Sequence, residues 1–225
     1  MTLATFELEP FSRVRFRGPG MLKVVQGDTE QLTIDAPAYV MDAVEVSAVE
    51  RELRLGYQHP EVIRLAVHRE SIAFTLTVRE LEYLCCKGVG ANVLVPDLDT
   101  DRAGIRLAGQ GHIMLEHLTA DKLEVRIDGA GLVDVAGDVE QQSLDISGAG
   151  HYRASSLVSD FASIRVSGAG KADVSVSTEL EVNILGAGQV TYEGYPEIYR
   201  TISGLGYLKR RRRRGEAPLG GKDHG

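Results

Sequence analysis

Two aspartates, Asp134 and Asp173, each lie three residues beyond a Gly-Ala-Gly triplet. Carboxylates held at equivalent points of a repeat can serve as acid and base, or acid and nucleophile, on a glycosidic bond. Arg153 holds the same offset after the triplet between them, so the row reads Asp, Arg, Asp, a pattern that cross-strand charge pairing alone also selects. Arg106, Arg126 and Arg165 form a second set, each three residues before the first glycine of a triplet, in a row with Cys85, Asp145, Asn183 and Thr201. Such a strip suits an anionic glycan or a partner's carboxylates. A mixed-charge row is also what a solvated sheet face needs to deter aggregation. The third candidate is the unbroken run Lys209, Arg210, Arg211, Arg212, Arg213, Arg214, whose guanidinium groups favour phosphate and whose binding would weaken steeply with salt. A solubilising tail, or one docked on the acidic body, explains the run as well.

Other chemistries find less support in the residues. His112 and His151 share a row, but Leu132 lies between them, too wide a gap for one metal ion. The glycine units are not phosphate loops, because no helix pattern follows them and no Gly-Lys-Ser/Thr is present. Calcium-binding rolls repeat every nine residues, about half the interval found here. Cys85 and Cys86 are adjacent, which disfavours a relaxed disulfide; Cys86 is expected in the core and Cys85 facing outward, with no histidine in its row to make it a nucleophile. No catalytic residue, metal or cofactor is therefore assigned.

The elements that must position these residues come from one repeat. Gly-x-Gly units begin at Gly88, Gly109, Gly129, Gly148, Gly168, Gly186 and Gly204, at intervals of 18 to 21 residues. Of the fourteen residues two and four positions before these glycines, thirteen are apolar, Arg200 being the exception. Two and four positions after each second glycine the alternation resumes, with Asn92 and Leu94 in the first copy and Ile113 and Leu115 in the next. Period-2 alternation on both sides of a glycine pair means strand, bend, strand, with one face buried in every copy. Units this short cannot hold a crossover helix, so the expected fold is all-β: a right-handed parallel β-helix of about seven coils stacked about 4.8 Å apart, no single coil being stable alone.

Ahead of the repeat, alternating segments at 13–17, 22–25, 31–35, 44–49, 52–57 and 72–78 read as strands, punctuated by Gly18-Pro19-Gly20, Gly27-Asp28 and His59-Pro60. An open backbone edge must be covered, which makes this irregular sheet the natural cap of the first coil. Three segments are thus expected: a β-rich cap over 1–80, the β-helix over 81–208, and a disordered basic tail over 209–225. At the far end Tyr192, Tyr195, Pro196, Tyr199 and Tyr207 are placed to close the core, with Arg200 on an exposed terminal coil. Outside the basic run 19 Lys and Arg face 32 Asp and Glu, so the body carries about −13 and repels nucleic acid. No stretch reaches the roughly 18 apolar residues of a membrane span, and residues 1–11 lack the basic and apolar regions of a signal peptide, so as written the chain is expected in the cytoplasm.

The segment from Phe11 to Val14, then Val24 to Asp28, the tandem Ser147-Gly-Ala-Gly150 and Ser167-Gly-Ala-Gly170, and the ending Tyr192 to Pro196 with Ile202 to Gly206 resemble the bacterial putative auto-transporter adhesin head domain, or GIN domain, over roughly residues 8–209. That resemblance implies a β-helix, no established reaction, no catalytic residues to carry over, and a cell-surface or secreted setting. The expected function is a non-catalytic binding or scaffold module offering a rigid surface to a protein or glycan, with self-association into a homo-oligomer open. Two alternatives remain: a carbohydrate-active β-helix enzyme using Asp134 and Asp173, and a nucleic-acid or anionic-membrane binder acting through residues 209–214.

Overall fold

Alternation on both sides of each glycine pair folds as strand, corner, strand, and the corners stack. The computed structural model describes residues 2–59 and 72–211. At successive corners the backbone N–H of the central residue donates to the carbonyl of the first glycine one turn earlier: Ala149 to Gly129, Ala169 to Gly148 and Ala187 to Gly168, each at 2.9 Å. This bond brings the backbones so close that a Cβ on Gly148 would overlap the Gly129 carbonyl oxygen, and one on Gly168 that of Gly148. The second glycine is constrained by a neighbouring side chain instead: a Cβ on Gly150 would run into the Ile127 Cγ2 methyl, and one on Gly170 into that of Ile146. A sharp bend favours glycine for its backbone freedom. At Gly129, Gly148 and Gly168 φ is not positive, and clearance between stacked turns is the reason for glycine there.

The long strands β8 (Tyr83–Ile127), β9 (Leu132–Ile146), β10 (His151–Val166) and β11 (Lys171–Gly186) bend around these corners and pair in parallel, turn upon turn. Val125, Leu144, Ile164 and Val182 stand in register, as do Ile127, Ile146, Val166 and Ile184, and all eight are buried. Burying each such side chain contributes roughly 1.5–3 kcal/mol, and these aliphatic columns hold one turn to the next. The chain closes with β12 (Gln189–Glu193), β13 (Glu197–Gly204) and β14 (Tyr207–Arg210). The solenoid has about five turns rather than seven. Corners are boundaries, so seven of them enclose fewer turns, and only four strand residues follow the last.

The six N-terminal strands expected from alternation form as β2 (Arg13–Arg17), β3 (Gly20–Gln26), β4 (Gln31–Ala36), β5 (Val44–Val49), β6 (Glu52–Tyr57) and β7 (Ala73–Val78). Two elements were not anticipated, β1 (Thr2–Glu7) and the single helical turn α1 (Ala38–Met41). β2 and β3 are themselves a rung: they pair in parallel with β8, and Gly18-Pro19-Gly20 lies against the Gly88-Val89-Gly90 corner. β6 and β7 add one more parallel rung outside β2 and β3. Antiparallel β5 on β6, β4 on β7, and β1 on β4 then cover the edge. The chain therefore passes outward after β3 and returns over it to start β8, and one sheet joins the strands on both sides of residue 80.

Three placements differ from expectation. In the first turn Ala91 adds a residue after the corner, so Leu22 pairs with Val93, and Val93 and Val95 fill the core in place of Asn92 and Leu94. At the far end Tyr192 and Pro196 are buried, but Tyr195, Tyr199 and Tyr207 stay exposed, while Arg200, opposite Val182, is exposed on the terminal coil as expected. Lys209 and Arg210 lie in β14, and Arg211 Nε donates to Glu193 Oε1 at 2.8 Å, so the run taken as a tail from 209 begins inside the last strand. Arg212, Arg213 and Arg214, with the chain to 225, lie outside the described residues.

Candidate binding groove

The strands that lead into the corners carry the arginine strip on their outer face. Arg126, Asp145, Arg165, Asn183 and Thr201 follow one another in register across five turns, and Arg15 stands opposite Cys85 in the first. Arg106, Arg126 and Arg165, expected on one face, line a single groove of about 360 Å³. Their partners differ. Arg106 binds Asp128 at 2.6 Å, and Asp128 also accepts a hydrogen bond from Ser147 Oγ at 3.0 Å. Arg15 binds Glu52 at 2.9 Å. Arg126 and Arg165 are exposed, and neither has an ion-paired or hydrogen-bonded side-chain partner among the described residues.

The floor beside this row was not singled out in the sequence. It consists of Glu124, Ser143, Ser163 and Glu181, in register two positions before the arginine row. Extending the row count from three to five residues before each glycine would have found it. Ser163 Oγ donates to Glu181 Oε2 at 3.1 Å. Lys122 Nζ lies 2.7 Å from Glu124, and that bond outweighs burial and, with Arg102 and Arg126 nearby, holds the Glu124 carboxyl below the usual range. Tyr83 starts the row and Gly104 follows it, the Tyr83 ring lying across Gly104 2.8 Å from where a Cβ would stand. Burial, with the Cys85 thiol beside it, pushes the Tyr83 phenol up against the opposing pull of Arg106 and Arg13.

Cys85 departs from its expected outward exposure. Its side chain does leave the core, but Tyr83 and the flanking arginine row cover it, and only 2% of its surface remains. Cys86 is buried in the core, which pushes its thiol up, and both cysteines are free.

Asp134, Arg153 and Asp173 do stand in one row. Two turns separate the carboxylates, about 9.6 Å at strand spacing. Arg153 Nε is 2.6 Å from Asp134 Oδ1 and His112 Nε2 is 2.6 Å from Asp134 Oδ2, while His151 Nε2 is 2.9 Å from Asp173 Oδ2. Arg211 lies 3.8 Å from Asp173 on its other side. Both histidines are half-buried and tied to these aspartates, and Leu132 separates them in register as the sequence implies. Among the described residues no three His, Cys, Asp or Glu side chains converge as metal ligands.

Together these features define a parallel β-solenoid with a polar groove on its outer face. The chain belongs to the family described as "Putative auto-transporter adhesin, head GIN domain", whose model matches residues 10–196. Its fold is similar to that of a putative adhesin from Bacteroides fragilis (TM-score 0.80, 20% identity, covering 94% of this chain and 96% of that one). A putative adhesin from Parabacteroides merdae is also similar (TM-score 0.73, 18% identity, 93% and 95% covered). So is a protein from Parabacteroides distasonis described as a putative lipid binding protein (TM-score 0.73, 19% identity, 93% and 96% covered). No curated protein matches the sequence. No described helix is long and apolar enough to cross a membrane.

Proposed function

We propose that this domain is a non-catalytic binding module that presents the groove of Arg106, Arg126 and Arg165 to a protein or glycan partner. The observation that carries this reading is the pair Arg126 and Arg165, two exposed guanidinium groups that make no salt bridge or side-chain hydrogen bond among the described residues, held on a rigid ladder inside a groove. Rigid stacked ladders make extended binding surfaces with little ordering cost on association. The family's adhesin description supports a cell-surface or secreted setting and gives the cytoplasmic reading no support. The test is a glycan array and a pull-down with the parent and an Arg126→Ala/Arg165→Ala variant. A ligand retained by the parent and lost by the variant supports the groove; retention by both places binding elsewhere.

The enzyme alternative is disfavoured by how Asp134 and Asp173 are held. Asp134 is held by a guanidinium and an imidazole and Asp173 by an imidazole, so the carboxylate oxygens are engaged by neighbours in their own rows. Unchanged turnover by Asp173→Ala on a polysaccharide panel would eliminate that alternative. Polyanion binding through 209–214 starts from a run whose first three residues are engaged: Lys209 in β14, Arg210 over the Tyr195 ring at 3.7 Å, and Arg211 on Glu193. Salt-sensitive retention of the full chain, but not of residues 1–208, on heparin or anionic vesicles would revive it.

A further inference from the structure

The groove row orders its charges as cation, anion, cation: Arg126, Asp145 and Arg165 on three successive turns. Turns of a parallel stack are about 4.8 Å apart, so the two arginine positions stand roughly 9.6 Å apart with Asp145 midway. Guanidinium groups free of salt bridges and held at a fixed pitch favour carboxylates, each bound through two parallel N–H···O bonds. Asp145 repels a third carboxylate at the turn between them and accepts hydroxyl donors instead.

Resting on the binding-module reading, we infer that the groove takes an acidic polysaccharide in which carboxylated and neutral sugars alternate. The chain lies along the stack axis. Arg126 and Arg165 hold the carboxylates of two successive acidic sugars, one disaccharide apart, and Asp145 accepts hydroxyls of the neutral sugar between. Ser143 and Ser163 give the groove a low, polar floor beside the arginines. Phe161, exposed in the next row, offers a ring to the apolar face of a sugar.

Other polyanions fit less well. Nucleic acid carries a phosphate at every residue, which would set one against Asp145. The charge of about −13 outside the basic run opposes every polyanion alike and at about 0.15 M salt is screened within about 8 Å, so the groove contacts decide.

The test is calorimetric titration of the full chain at physiological salt with three oligosaccharides of equal length. These are hyaluronan fragments, whose uronates alternate with neutral sugars, oligogalacturonate, acidic at every sugar, and neutral cello-oligosaccharide. Hyaluronan fragments should bind at least about tenfold tighter than the other two, and Arg126→Ala and Arg165→Ala should each weaken them about tenfold. Asp145→Asn should narrow the gap by improving oligogalacturonate. Thermal melts of the variants check that the fold is kept. Equal affinity for the two acidic oligomers, or arginine variants that bind like the parent, overturns the inference. If a neutral glycan or a protein occupies the groove in an Arg126-dependent way while hyaluronan does not bind, this inference fails and the binding-module reading stands. If no member of the array or pull-down binds, both fail.

Discussion

The hydroxyl of Tyr152 donates to Oε1 of Gln142 at 3.1 Å inside the otherwise apolar solenoid. The chain of bonds continues from Gln142 Nε2 to Ser159 Oγ at 2.7 Å and from Ser159 Oγ to the Ser175 carbonyl at 3.0 Å. All four residues are buried, and burial pushes the Tyr152 phenol up, so the hydroxyl keeps its proton. Tyr152→Phe strands the Gln142 oxygen and should cost about 1–3 kcal/mol in urea unfolding. Adding Gln142→Leu removes the stranded group and should recover part of that loss. A double variant less stable than the single would show that the network is not the source.

At the corners, Gly148→Ala should be far more damaging than an ordinary glycine substitution. Gly to Ala commonly stabilises by about 0.4–1 kcal/mol where the backbone allows it. Here the new methyl meets the Gly129 carbonyl, so the stacked corner must open. Gly56→Ala is the control, since its Cβ would find ordinary contacts at 3.5 and 3.6 Å. Melting temperatures of the two variants should separate widely, with Gly148→Ala the lower.

Glu52 makes stability depend on pH in the acid range. Burial alone would raise its carboxyl, but bonds from Arg54 at 2.7 Å and Arg15 at 2.9 Å, with the charges of both, hold it below its ordinary value of 4.5. A carboxyl lowered in the folded state binds protons more readily when unfolded. Its contribution is therefore complete above about pH 4.5 and disappears as pH falls through the folded value. The arginines are 36% and 53% exposed, so screening limits the effect to about 1 kcal/mol. Glu52→Gln should melt lower than the parent at pH 7, and the gap should close on acidification toward pH 3. A gap independent of pH would refute the linkage.

Arg200 occupies the aliphatic column of Val182 on the last turn, where β13 pairs with β11. A charge on an open strand edge discourages a second chain from adding to it. Arg200→Ile extends the column to the surface beside exposed Ile202 and Leu205. Sedimentation velocity should show stronger concentration-dependent association for this variant than for the parent, and equal behaviour would remove the gatekeeper role.

Much of this architecture is legible because alternation and glycine spacing are local signals. The boundaries of β2, β5 and β6 follow from five- and six-residue patterns alone. What escaped depends on residues distant in sequence. Gly18-Pro19-Gly20 reads as a loop until its neighbour, 70 positions later, stacks on it. Cys85 looks exposed by alternation, and only the overlying Tyr83 and arginine row bury it. Gln142 breaks an apolar column in a way no periodicity predicts, because its partners Tyr152 and Ser159 come from the following turn. The arginine strip itself was visible, but which of its cations are left unpaired was not, since Asp128 and Glu52 lie in other rows.

The threading of the first rung constrains how the molecule can be made. Residues 13–26 leave the ribosome early, yet both of their hydrogen-bonded flanks, 52–55 with 73–78 on one side and 83–94 on the other, are synthesised afterwards. Growth by adding turns in the order of synthesis is therefore unavailable at this end. The opening segment must wait as a solvated strand pair until a loop has gone out and come back around it, which makes closure of that loop the event on which completion of the stack depends.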